Sequence, residues 1–226
     1  MRFARQAFLV ALVAIASLAV AGEQGRPEGW YAEVETSLGS FTFRLLPEQS
    51  PQTVAHFVAF ATGRMEFIDP FTGAKKKEAF YDGIGVHKTT FAQRFEVGDR
   101  TGTGHGMPIV WVPAEPGPVN FSRPYRVGMT SSTMRRISGV LFFVSIVAEP
   151  YLNALHNCFG EIVEGRDVVE RICNVKTNKR GAPLEGVTIR HIAIVKSGNP
   201  PPIPDPVPYT PPVPVFGLDP AAASTP

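Results

Sequence analysis

Apolar and polar residues alternate from Trp30 to Leu46, with Ala32 and Val34 before a Gly39-Ser40 break and Phe41, Phe43 and Leu45 after it. A period of two with glycine at the break predicts two strands joined by a tight turn. The period then changes: Val54, Phe57, Val58 and Ala61 recur at helical spacing. Ser50 suits the N-cap, Pro51 the first helical position and Gly63 a left-handed stop, so a helix is predicted between them. His56 is expected at the surface of this helix. From Phe67 to Lys77 the pattern lapses, and Lys75-Lys76-Lys77 reads as a solvated loop.

Phe80 to Asp99 predicts short strands broken at Gly83 and Gly85, followed by a glycine-rich loop from Thr101 to Gly106. Further strands are predicted over Ile109–Val112, Val127–Thr130, Val140–Val147, Asn157–Val163 and Val187–Lys196. The Val140–Val147 run is almost wholly apolar, as a strand buried on both faces would be. Val168, Val169, Ile172 and Val175 mark a second helix over Asp167–Val175. Many short strands with two isolated helices point to a barrel or sandwich rather than a repeating βαβ fold.

Composition sets the boundaries. The 226 residues, 44% hydrophobic and 19% charged, suit one medium domain with a core and appendages. A net charge of +2 is too small to imply nucleic acid or an acidic membrane as partner. Arg2 and Arg5 precede an apolar run from Ala7 to Val20, and Ala19-Val20-Ala21 supplies small residues for cleavage. This predicts a signal peptide over 1–21 and a polar leader over 22–29, with an uncleaved anchor as the alternative. The run falls short of the roughly 20 residues that span a bilayer. No stable membrane insertion is therefore expected after cleavage, and the mature protein is expected to be periplasmic or secreted. Export would expose Cys158 and Cys173 to oxidising conditions, where a bridge or two buried thiols both fit. Eleven of the 22 prolines follow Asn199, so 198–226 is expected to be an extended, disordered tail after a domain over 30–197.

Generic motifs add little. The Thr101–Gly106 loop lacks the Lys-Ser/Thr pair and the following helix of a phosphate cradle. Five scattered histidines offer no metal-ligand spacing, so no metal site is expected. Asn120-Phe121-Ser122 matches a glycosylation sequon.

Ordered landmarks carry more. PQTVAHFVAFATG, FYDGIGVHK, VGDRTGTGHG, GVLFFVSIV and YLNALHNCFGEIVEGRDVVERI follow one another between Tyr31 and Lys196. In order and spacing they resemble the landmarks of cyclophilin-type peptidyl-prolyl isomerases. The resemblance implies a mainly β fold, an eight-stranded antiparallel barrel capped by two α-helices, with a peptide groove on its outer surface. It implies X-Pro segments of client proteins as partners, no cofactor, and a monomer.

Residue by residue, the family's catalytic Arg is matched by Lys88, which keeps a charge but lacks the planar fork. The pocket Phe is matched by Gln93, the adjacent Met by Arg94, and two steering Gln residues by Glu96 and Leu141. Phe143, Leu152 and His156 match the pocket floor and walls, and Tyr151 stands where many members carry Trp. Thr130 and Ser131 lie near the backbone-docking segment. Arg94 could supply the guanidinium missing at Lys88, although neighbouring strand residues face opposite sides. Lys88 and Glu96 could pair across the groove. These changes leave two functions open: an exported isomerase of reduced activity, or a non-catalytic proline-peptide-binding chaperone or scaffold. The tail could also occupy the groove as a built-in competitor, or serve as a spacer.

Overall fold

The computed structural model describes residues 25–104, 106, 110–131 and 136–210. The expected signal peptide, the start of the leader and the last part of the tail lie outside the described residues.

Strands β1 (Gly29–Thr36) and β2 (Gly39–Leu45) form the expected hairpin. Helix α1 (Pro51–Ala61) follows, then the two-residue strands β3 (Phe67–Ile68) and β4 (Lys75–Lys76). Next come β5 (Lys88–Thr90), β6 (Arg94–Val97), β7 (Trp111–Val112), β8 (Arg126–Ser131) and β9 (Ile137–Ser145). A 3-10 turn (Pro150–Leu152), β10 (Asn157–Glu164), helix α2 (Arg166–Cys173) and β11 (Ile189–Ser197) complete the domain. The main sheet runs β11-β1-β2-β10-β8-β9-β6-β5, with β7 paired to β9. Its two ends meet: Gly85 bridges Thr188, and the Val86 amide donates to the Val187 carbonyl at 2.7 Å. The eight-stranded antiparallel barrel implied by the resemblance is thus present, and the two helices pack on it.

Phe57 of α1 plugs the interior. Its ring centroid lies 5.6 Å from Phe43, 5.3 Å from Tyr81, 5.6 Å from Phe142 and 5.3 Å from Phe159. Gly63 ends the helix region at φ +67°, and a Cβ there would stand 2.8 Å from the Glu78 backbone, so glycine is required twice over.

Several expectations need correction. His56 is buried, at 1% exposure, with Nδ1 2.8 Å from the Gln52 carbonyl. Nine of the eleven helix residues are buried, so α1 has little solvent face. Ser50 does not cap the helix; its hydroxyl donates to the Cys158 carbonyl. Glu115 takes that role from afar, accepting from the amides of Gln52 (2.8 Å) and Thr53 (2.9 Å) and from the Thr53 hydroxyl (2.6 Å). Phe67 to Lys77 is a small β-ribbon, with Lys76 bound to Asp69 at 2.7 Å. Of the two alternatives the sequence left for Cys158 and Cys173, the structure shows two free, buried thiols, and burial pushes both up to about 12.

The described part of the tail is extended, as its prolines require, and it is tied to the domain. Trp30 Nε1 donates to the Pro201 carbonyl at 2.8 Å, the Val207 amide donates to Gln52 Oε1 at 2.8 Å, and Tyr209 bridges Trp111. Among the described residues, no helix is long and apolar enough to cross a membrane.

Candidate functional site

The site begins as a row in the sheet. Lys88 of β5 stands opposite Glu96 of β6, Glu96 opposite Phe143 of β9, and Phe143 opposite Gly128 of β8. Cross-strand partners share a face, so Lys88, Glu96 and Phe143 project to the same side of the barrel. This side is not the main interior. Phe143 groups instead with Phe121, Leu152 and Cys158, a small cluster apart from the core.

The Phe143 ring is held on three sides. Phe121 lies 5.2 Å away at a 33° tilt, and His156 stands edge-on at 5.2 Å and 78°. Gly128 leaves room below: a Cβ there would fall 2.3 Å from Phe143 Cζ and 2.6 Å from Phe121 Cζ. Phe143 and Leu152 are nearly covered, at 2% and 4% exposure. The 3-10 turn brings Leu152 in, and the Leu152 carbonyl accepts the His156 amide at 3.1 Å, which fixes the spacing of the two walls. His156 Nδ1 lies 3.0 Å from the Ser131 amide and 3.2 Å from the Met129 carbonyl, which ties the ring to the end of β8. Burial holds the imidazole below its ordinary pKa, and the charge of Arg94 adds to that.

Charged groups line one side. Lys88 Nζ lies 3.1 Å from Glu96 Oε1, forming the expected pair, and the lysine side chain is about half exposed. Arg94 and Glu96 are two apart on β6 and so share a face. Arg94 reaches over the floor, with its Cζ 6.0 Å from the Phe143 ring centroid. Its Nε is 3.7 Å from Glu96, and its Nη1 contacts Glu149 and donates to the Tyr151 hydroxyl at 3.0 Å. Burial alone would lower the Arg94 pKa, but the Tyr151 bond and the Glu149 charge raise it above its usual value.

The other matched positions stand further out. Gln93 is exposed on the β5–β6 turn, where its carbonyl accepts the Ile146 amide at 2.8 Å. Leu141 is half-buried and packs against the main core rather than the Phe143 cluster. The Thr130 hydroxyl is buried and has no partner among the described residues. Phe121, Gly128 and Glu149 escaped the sequence reading. Phe121 sits inside a sequon and Gly128 inside a strand, and Glu149 precedes a proline with nothing to tie it to Arg94.

Comparison with known proteins accounts for the arrangement. Residues 31–194 match the family model for cyclophilin-type peptidyl-prolyl cis-trans isomerases. The chain is 34% identical over 171 residues to peptidyl-prolyl cis-trans isomerase B of Streptomyces anulatus, covering 74% of this chain and 97% of the relative. It is 31% identical over 166 residues to peptidyl-prolyl cis-trans isomerase A of Mycobacterium tuberculosis, covering 72% and 91%. A crystal structure of a Cryptosporidium parvum cyclophilin-type isomerase superposes with a TM-score of 0.62 at 23% identity, covering 75% of this chain and 98% of that one. The same C. parvum protein has also been crystallised in the presence of the dipeptide Ala-Pro, with a TM-score of 0.62 and 22% identity, covering 75% and 99%. With its barrel, ordered landmarks and outer aromatic cleft, the chain belongs to the cyclophilin-type peptidyl-prolyl cis-trans isomerase family.

Proposed function

We propose that the protein is an exported peptidyl-prolyl cis-trans isomerase that assists the folding of other exported proteins, at a reduced rate. The observation that carries this reading is the convergence of Phe143, Leu152 and His156 beside a charged rim of Lys88, Arg94 and Glu96. The three stand at the positions that resemble the family's proline pocket, and the Ala-Pro dipeptide used with the C. parvum relative supports that ligand class.

The chemistry needs no cofactor. Rotation about an X-Pro bond is slow because amide resonance opposes it, with a barrier of about 18–20 kcal/mol. Twisting leaves a lone pair on the prolyl nitrogen. A donor aimed there binds the twisted state better than either planar state and so lowers the barrier. Lys88 stands at the family's donor position. Its ammonium is compact and strongly hydrated, and Glu96 competes for it at 3.1 Å. Leu141 has no side-chain donor for the peptide. Both features support a reduced rate.

Export rests on the basic start and apolar run of residues 2–21. A second reading, binding of proline segments without turnover, is favoured by the Lys88–Glu96 pair, which draws the ammonium away from a ligand. A protease-coupled assay on an X-Pro peptide separates the two. The isomerase reading expects wild type above the uncatalysed rate, a several-fold loss in Lys88→Ala and a gain in Lys88→Arg. Folded protein at the background rate would remove it, and cleft shifts in an NMR peptide titration without cis–trans exchange would then favour the binding module.

A further inference from the structure

Arg94 is the most firmly held cation near the floor of the cleft. Its guanidinium lies over the Phe143 ring, with Cζ 6.0 Å from the centroid. Nη1 is anchored twice, by Glu149 and by the Tyr151 hydroxyl. Glu149 is itself fixed: it is 3% exposed, its Oε2 accepts from the Ser145 hydroxyl at 2.7 Å, and its Oε1 accepts from the Tyr151 hydroxyl at 2.6 Å. Ser145 stands opposite Arg94 in the β6–β9 register, so the carboxylate is built into the same strand pair. Among the described residues, Arg94 Nη2 has no protein partner. Lys88 differs on each count, being half exposed and joined to one carboxylate only. A donor already fixed in place stabilises a developing lone pair without reorganisation, whereas a mobile, hydrated ammonium must first be ordered.

We infer that Arg94 is a second catalytic donor, presenting its free Nη2 to the X-Pro bond of a peptide bound beside the Phe143 cluster, and that Glu149 is the positioning residue that holds it there. This rests on the isomerase reading and deepens it. Strand geometry no longer opposes the assignment, because Arg94 shares its face with Glu96, which in turn faces Lys88 and Phe143. The guanidinium absent at position 88 is restored one strand closer to the pocket floor. Glu149 touches no substrate and acts through Arg94, so its loss should matter only while Arg94 is present.

The test is a double-mutant cycle on the full chain. It is read by kcat/KM on an X-Pro peptide, with peptide Kd by NMR titration and thermal midpoint measured alongside. Arg94→Met is expected to lower kcat/KM at least about tenfold while Kd changes less than about threefold, since a donor to the twisted bond acts on the transition state. Arg94→Lys should recover only part of the loss. Glu149→Gln should lower kcat/KM in the wild-type background and have no further effect in Arg94→Met. An active wild type with Arg94→Met within twofold of it would overturn this inference alone. So would a Glu149→Gln loss of equal size in both backgrounds, which would mark a structural role. A wild type at the background rate would overturn the isomerase reading and this inference together.

Discussion

Gly128→Ala is a small change aimed at the floor of the cleft. Gly128 pairs with Phe143 across β8 and β9, and its backbone lies outside the left-handed region, so alanine adds no dihedral strain. The added methyl would stand 2.3 Å from Phe143 Cζ and 2.6 Å from Phe121 Cζ, far inside contact distance for both rings. Neither ring can rotate freely away, because Phe143 is bounded by His156 at 5.2 Å and by Phe121 at 5.2 Å. Forcing one methyl into such a site costs about 1–3 kcal/mol. For a domain of this size that corresponds to a fall in thermal midpoint of roughly 3–9 °C. The displaced Phe143 ring should also lose its seat for proline, lowering kcat/KM on an X-Pro peptide by about tenfold or more, each tenfold being about 1.4 kcal/mol. Thermal denaturation and the protease-coupled assay read the two effects separately. Phe121→Leu in the Gly128→Ala background opens space beside the methyl and should recover part of the lost stability. Unchanged stability and activity in Gly128→Ala would refute the packing account of the floor.

Three further outcomes follow from the same geometry. Glu115→Ala removes three hydrogen bonds at the start of α1 and leaves the Gln52 and Thr53 amides without acceptors, so a loss of about 2 kcal/mol is expected in chemical denaturation, and an unchanged midpoint would contradict the capping role. Burial lowers the pKa of His56, His87 and His156 below the unfolded value, so the unfolded chain takes up protons first as pH falls. Their contribution is therefore complete above about pH 6.5 and lost below it; denaturation midpoints at pH 7.5 and 5.5 should differ, with less difference in His56→Gln, and equal midpoints would contradict neutral burial. Removing residues 198–226 breaks the ties at Trp30, Gln52 and Trp111 and should lower the thermal midpoint while leaving peptide affinity unchanged; a rise in affinity would instead mark the tail as an occupant of the cleft.

Much of the barrel could be read from local pattern because strand alternation and helix spacing are short-range signals. Phe41, Phe43 and Leu45 alternate, and that alone fixes which side of β2 faces the core. The same logic fails where a partner is distant in sequence. Ser50 looks like a cap by composition, but Glu115 reaches the helix from 65 positions on, and nothing near either residue records the contact. His56 looks exposed on a helical wheel, yet parts of the chain distant in sequence pack on α1 and it is buried. In the cleft, Phe143, Leu152 and His156 were named through the family landmarks, and the structure packs them together. Arg94 was harder. Its relation to Lys88 depends on the β5–β6 register, which the sequence does not state. Its anchor, Glu149, enters from the far end of β9 through the turn before Tyr151, so no spacing rule could join the two.

The central claim is that this cleft turns over prolyl bonds. The most direct measurement is two-dimensional NMR exchange on an X-Pro peptide with the purified protein, in which cis and trans signals are observed together. The account predicts exchange cross-peaks that appear with catalytic amounts of wild type and fade in Arg94→Met. Sharp, unconnected cis and trans peaks at saturating wild-type protein would contradict it.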